Sequence, residues 1–266
     1  MYRNLFKFIF STIRNNFRKK KQQQVLDWLI INNGILKGRK LLLEKDSTAY
    51  TQMLNGDHDK FLIEYCKKYD FNNKTMIDIG AHIGFNSLCF AEMVGENGKV
   101  ISFEPNQFNC ERFKLIMSKN NDISNRINLY EISLSDKEGL NKMFLSDQID
   151  NGRSSGGFIK GVRPLNDSRH KLSAFQEYES ITTTLDNFLS KNNYNQIKLI
   201  KIDVEGAESL VLAGSRNLLK VIKPILFIEI HSVVEMCKVV QILNEFNYKI
   251  EILDEGRADR CHILAA

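Results

Sequence analysis

Residues Met76 to Leu88 read MIDIGAHIGFNSL. An apolar run carries one acid, Asp78, and gives way to two glycines, Gly80 and Gly84, that flank His82. The residues beyond, Asn86 to Val94, have a helical pattern. A strand, a glycine turn and a helix make a βα turn at the carboxyl edge of a parallel sheet, where doubly wound folds bind their ligands. Glycine lacks Cβ and tolerates left-handed backbone, so a ligand can lie against the chain there.

The surrounding sequence repeats that rhythm. Strand-like runs cover Thr75–Ile79, Lys99–Glu104, Ile127–Leu134, Ile197–Asp203 and Ile225–Ile230. Helical patterns cover Asn86–Val94, Phe108–Lys119, Ala207–Val221 and Val233–Asn247, the last with Val233, Met236, Val240 and Leu243 on one face. Alternation of this kind predicts a doubly wound, mostly parallel α/β sheet with right-handed crossovers. Tyr248–Leu253 and Cys261–Ala265 lie too close together for a crossover helix, so they should form an antiparallel hairpin at one end of the sheet. An earlier amphipathic helix spans Asp59 to Tyr69, with Asp57 as its cap, and short strands are expected around Ile35–Glu44.

Two ligand classes compete for the glycine turn. A dinucleotide favours GxGxxG, whose middle glycine lets pyrophosphate reach the helix N-terminus. His82 occupies that middle position, and Asp78 would repel a phosphate. A cationic ligand suits the turn better, and S-adenosylmethionine, with its amino group and sulfonium, is such a ligand. The next strand, KVISFEP, ends in Glu104, placed to accept hydrogen bonds from both ribose hydroxyls. The third strand's tip faces the adenine, where Ser133 or Leu134 would touch the base edge or simply end the strand. Phe108 either packs on the adenine or belongs to the core.

The densest chemistry lies in IKIDVEGAE, with Asp203, Glu205 and Glu208, and in PILFIEIH, with Glu229 and His231. The fourth strand adjoins the first across the switch point, so its tip should face the methyl group. Methyl transfer to oxygen needs a hydroxyl held in line with the sulfonium and relieved of its proton. In one scheme His231 takes the proton while Asp203 and Glu205 orient the acceptor. In another, Asp203 and Glu229 hold a divalent ion that acidifies the hydroxyl. The metal-free scheme is favoured, because no His or Asn beside Asp203 completes a ligand set. Glu208 reads best as a cap of the following helix, and a capping or solvated role stays open for His231.

The other features bound the function more loosely. The chain has 266 residues, 43% of them hydrophobic, enough for a sizeable core. A net charge of +5 is too mild for a protein that coats nucleic acid. Five widely spaced cysteines without a CxxC pair argue against a zinc site or disulfide framework and fit a reducing cytosol. No apolar run is long enough to span a membrane. Residues 1–56 read as an extension to a domain over 57–266. Within it, residues 3–21 form a basic amphipathic helix ending in Arg18-Lys19-Lys20-Lys21. Such a helix either lies on an anionic membrane, here at its inner face, or docks on its own domain. Between Ser146 and Ser180 no period survives, which suggests a lid or substrate loop.

The motifs MIDIGAHIGFNSL, VISFEP, ITTTLDNF, IKLIKIDVEGAESLVLAGS and PILFIEIH together resemble the FkbM-type methyltransferases over about Asp57 to Ala266. That resemblance implies S-adenosylmethionine-dependent O-methylation of a sugar or polyketide-type hydroxyl. It implies cofactor roles for Asp78, Gly80 and Glu104 and a catalytic-edge role for Asp203 and Glu205. His82 departs from the family, where Asn is commoner, and this bears on how the methionine end is held. Thr184–Asp186 matches a family motif, with Asp186 as a cap of the helix that follows. The favoured acceptor is a sugar or glycan hydroxyl. The rival readings are a cofactor-binding module without catalysis and a NAD-dependent oxidoreductase.

Overall fold

The computed structural model describes residues 26–45, 48–146, 158–159, 175–257 and 260–266. The basic segment at 3–21 lies outside them. The strands are β1 (Leu26–Ile30), β2 (Lys40–Glu44), β3 (Thr75–Ile79), β4 (Lys99–Phe103), β5 (Ile127–Tyr130), β6 (Ser133–Leu134) and β7 (Gly139–Ser146). Then come β8 (Phe158–Ile159), β9 (Phe175–Thr183), β10 (Ile197–Ile202), β11 (Ile225–Ile230), β12 (Ile250–Arg257) and β13 (Arg260–Ala265).

A seven-stranded sheet has the order β12-β13-β11-β10-β3-β4-β5. From β11 to β5 neighbouring strands run parallel, while β13 pairs antiparallel with both β11 and β12. The expected C-terminal hairpin therefore closes one end. The chain leaves β3 toward β4 and β5, then returns to add β10 on the other side, so the switch point falls between β3 and β10.

Alternating side chains feed two cores. Met76, Val100, Leu199, Ile225 and Phe227 point to one face, beneath helices Phe85–Met93 and Gln107–Lys119. Ile77, Ile101, Phe103, Ile200, Ile202, Leu226 and Ile228 point to the other, beneath helices Leu185–Lys191, Glu208–Ala213, Arg216–Val221 and Val233–Glu245. Part of the extension before residue 57 packs on the first core. Ile31, Leu41, Leu43, Tyr50 and Met53 pack in the first cluster with Phe90 and Phe113. Arg112 crosses this contact, pairing with Glu44 at 3.1 Å and donating to the Leu42 carbonyl at 2.8 Å.

Several expectations change. The helix near residue 60 covers Lys60–Cys66, and its N-cap is Asp59, not Asp57. The third strand breaks after Tyr130, and Ser133–Leu134 joins a second sheet of order β6-β9-β7-β8. The segment read as irregular from Ser146 to Ser180 contains most of β9, paired antiparallel with β7. Residues 147–157 and 160–174 lie outside the described residues. Asp186 caps a different helix from the one expected. Thr184 accepts from the Asn187 amide at the start of Leu185–Lys191. Asp186 instead accepts from the Asn217 and Leu218 amides at 2.7 and 2.9 Å, capping Arg216–Val221.

Candidate active site

The first face of the sheet is apolar at its amino end and polar at its carboxyl end. Lys201 on β10 stands opposite Asp78 on β3, which stands opposite Ser102 on β4. These three buried side chains form a row across adjacent strands. Lys201 Nζ lies 3.2 Å from Asp203 Oδ2 and 3.8 Å from Asp78 Oδ1. Ser87, on the helix after the glycine turn, donates to Asp78 Oδ2 at 2.6 Å and meets Ser102 at 2.8 Å. Burial pushes the Asp78 carboxyl above its ordinary range, and Lys201 opposes that. Burial works against the Lys201 charge too, but Asp203, Asp78 and Asp59 outweigh it and hold the lysine protonated.

The two glycines answer to the chain itself. A Cβ on Gly80, at φ +79, would lie 1.8 Å from the Asp203 carbonyl oxygen. A Cβ on Gly84, at φ +89, would lie 2.1 Å from the Phe113 ring. Gly80 thus lets the β10 tip close on the turn, and Gly84 lets helix Gln107–Lys119 pack beneath it. The close approach expected for a ligand is taken by these neighbours.

His82 sits between them in the left-handed region, at φ 53. Its amide donates to Glu104 Oε2 at 2.8 Å. Glu104 Oε1 accepts from the Asn106 amide at 2.9 Å and from Asn109 Nδ2 at 3.2 Å. A carboxylate has about four lone-pair sites, so three are used and one on Oε2 remains. That fits one ribose hydroxyl, where the sequence suggested two. Burial pushes Glu104 up to about 7 against its three hydrogen bonds. Burial pushes the His82 imidazole down to about 3, so it is neutral.

The tips of β10 and β11 converge on His231. Its Nε2 lies 3.5 Å from Glu205, 3.6 Å from Glu229 and 3.7 Å from Asp203. Its Nδ1 contacts Glu208 Oε1 at 2.7 Å, and the same oxygen accepts from the Gly206 amide at 2.8 Å. Glu208 therefore holds the helix start, as expected, and also fixes His231. Burial disfavours the His231 charge, but the bond to Glu208 and the nearby Glu205 and Asp203 raise it to about 9. That shift favours the imidazolium, which suits pairing with the surrounding acids better than proton uptake. Burial would raise Asp203, yet Lys201 and His231 hold it below the ordinary range.

The chain matches the family described as "Methyltransferase FkbM domain" over residues 78–250. It belongs to the FkbM methyltransferase family. No curated protein matches it. Solved structures that are similar include an FkbM methyltransferase from Methylobacillus flagellatus, 15% identical, with TM-score 0.48 and covering 84% of this chain. The chain spans 56% of that protein's length. A SAM-dependent methyltransferase from Aquifex aeolicus is 15% identical, with TM-score 0.47 and covering 82% of this chain and 93% of its own. Fibrillarin from Aeropyrum pernix, solved with natively bound S-adenosyl-L-methionine, is 12% identical, with TM-score 0.44, and the coverage is 78% and 74%.

In this FkbM-family chain, Asp78, Gly80, His82, Gly84 and Glu104 fall in one turn and the strand end beside it, and Asp203, Glu205 and His231 in one cluster. Lys201 joins the two through Asp78 and Asp203. Ser133 stands apart from both groups, in the second sheet, its hydroxyl donating to the Ile181 carbonyl at 3.2 Å. Leu134 is buried in the second core, and Phe108 is exposed on its helix.

Sequence reasoning passed over Lys201, Asp59, Asn86 and Arg260. Asp59, at φ 50, is held by Asn86 at 2.5 Å and interacts electrostatically with Lys201 and Asp203. Arg260 pairs with Glu229 at 3.1 Å. A lysine inside the apolar run IKLIKID was the one signal available for Lys201. Three non-glycine residues with positive φ, Asp59, His82 and Glu205, belong to this carboxyl edge. Left-handed backbone at such residues is strained and concentrates at functional sites.

Proposed function

We propose that this chain transfers the methyl group of S-adenosylmethionine to a hydroxyl, with a sugar or glycan alcohol as acceptor. The observation that carries the reading is the arrangement of acids along one sheet edge. Glu104 keeps a lone pair for the cofactor's ribose, while Asp203, Glu205 and Glu229 rim the adjoining strand tips. A carboxylate-rich edge attracts a sulfonium and repels the pyrophosphate of a dinucleotide. Its acceptor atoms also match a polyol, whose hydroxyls all donate.

The chemistry this edge would support is a single displacement. The acceptor oxygen attacks the methyl carbon, the C–S bond pair stays on sulfur, and the donor leaves as the neutral thioether S-adenosylhomocysteine. The hydroxyl proton passes to a carboxylate at the site or to water. Asp203 and Glu205 hold the hydroxyl in line, and His231, braced by Glu208, fixes those two carboxylates. Positioning of this kind supplies much of the rate in such transfers.

Donor labelled in its methyl group, incubated with a panel of sugar alcohols and the full chain, should pass label to an acceptor. Asp203→Asn should lower that transfer by about a hundredfold. A chain that binds donor and labels no acceptor would be a binding module, and the catalytic assignment would fall.

A further inference from the structure

We propose that Asp203, Glu205 and His231 form a site for one divalent cation of the Mn²⁺ class, with Glu229 at its outer side. An acidic cluster alone would not carry this; the orientation of the histidine does. His231 is 5% exposed, and its Nε2 has no hydrogen-bond partner among the described residues. That atom points into three carboxylates, at 3.5, 3.6 and 3.7 Å. Neighbouring donors about 2.1 Å from an octahedral ion lie about 3.0 Å apart, so contacts of 3.5 to 3.7 Å leave room for a cation on which the side chains close slightly. Donor atoms of Asp203, Glu205 and His231 all lie within 4.8 Å of one another.

The surroundings point the same way. Glu208 fixes Nδ1, the carboxylate–histidine arrangement that orients an imidazole toward a metal, and the ion takes the place of the Nε2 proton, which is released to solvent. Lys201 bonds the Oδ2 of Asp203, and Oδ1 is the atom that faces His231. Arg260 pairs with Glu229 and also interacts electrostatically with Glu205 and Asp203. An oxygen-rich donor set with one imidazole suits Mn²⁺. The sequence favours a metal-free site because no His or Asn adjoins Asp203; the fold supplies the histidine from the neighbouring strand, two residues past Glu229. The role of such an ion, binding the acceptor oxygen and lowering its pKa, rests on the methyl-transfer reading. The site itself does not.

The test uses the full chain without donor or acceptor. Mn²⁺ titration followed by electron paramagnetic resonance should show one ion bound per chain, and echo-modulation spectra of the bound ion should show one imidazole nitrogen. Asp203→Asn and Glu205→Gln should each weaken binding by about tenfold or more. Absence of stoichiometric binding, absence of the nitrogen coupling, or binding unchanged in both variants would overturn the site. Mn²⁺ bound in this way by a chain that transfers no methyl group would leave the site standing and remove the function. Methyl transfer by a chain that ignores Mn²⁺ would do the reverse.

Discussion

Replacing Lys201 with Met should expose how the carboxyl edge is held together. The ammonium is 3% exposed and lies 3.2 Å from Asp203 and 3.8 Å from Asp78. At an effective dielectric of about 20, those contacts amount to roughly 5 and 4 kcal/mol of gross attraction. Desolvation of all three groups cancels much of that, so the pair itself contributes little net stability. Methionine keeps the length of the side chain and removes its charge. Asp78, 0% exposed, then faces no cation. Breaking a buried pair on one side costs about 3–5 kcal/mol. The lower end applies, because Asp203 is partly exposed and keeps His231. Urea unfolding at pH 7 should therefore show a loss of about 3 kcal/mol with an unchanged m-value. Adding Asp78→Asn should recover at least about 1.5 kcal/mol of it, because the stranded charge is gone. A loss under about 1 kcal/mol, or strict additivity in the double variant, would refute the claim that these charges form one buried row.

Gly80→Ala should cost about 1–2 kcal/mol for the left-handed backbone alone, and more for the collision with the Asp203 carbonyl. Denaturation would read the first effect, and weakened cofactor binding the displaced strand tip. Asp186→Ala removes the acceptor of two backbone N–H groups at the start of Arg216–Val221 and should cost about 1–2 kcal/mol in the same assay. Burial raises Glu104 from 4.5 to about 7, so the folded chain binds its proton more tightly than the unfolded chain. Its contribution is full below about pH 4.5 and is lost as pH rises through about 7, a fall of about 3 kcal/mol. Glu104→Gln should flatten stability against pH across that window, measured by unfolding at intervals from pH 4.5 to 8.

The main sheet was legible because its strands are buried on both faces and its helices recur between them. Thr75–Ile79 and Ile225–Ile230 appear with their expected bounds. The second sheet was not, because its pattern is inverted. Asn141, Ser180 and Thr182 face inward, while Leu140 and Ile181 are each 62% exposed. Helix Val233–Glu245 was found, but its buried face runs through Glu235, Val239 and Leu243, and Val233 is exposed. Glu235 lies inside because it accepts from the Ser209 amide at 3.0 Å, a tertiary contact that no helical period encodes. At the site, the acids announced themselves by their position at strand ends. What they pair with depends on cross-strand register, so Lys201 and Arg260 stayed hidden. The glycines mark a βα turn open to a ligand in the residue order, and only the tertiary fold reveals that Asp203 and Phe113 press on them.

Calorimetric titration of S-adenosylmethionine into the full chain and into Glu104→Ala puts the acid-lined edge to proof. Saturation at one donor per chain is expected, with affinity falling in the variant by about tenfold or more, as for loss of a hydrogen bond to a charged group. Equal affinity in both proteins, or saturable binding of NAD in place of the sulfonium donor, would contradict it.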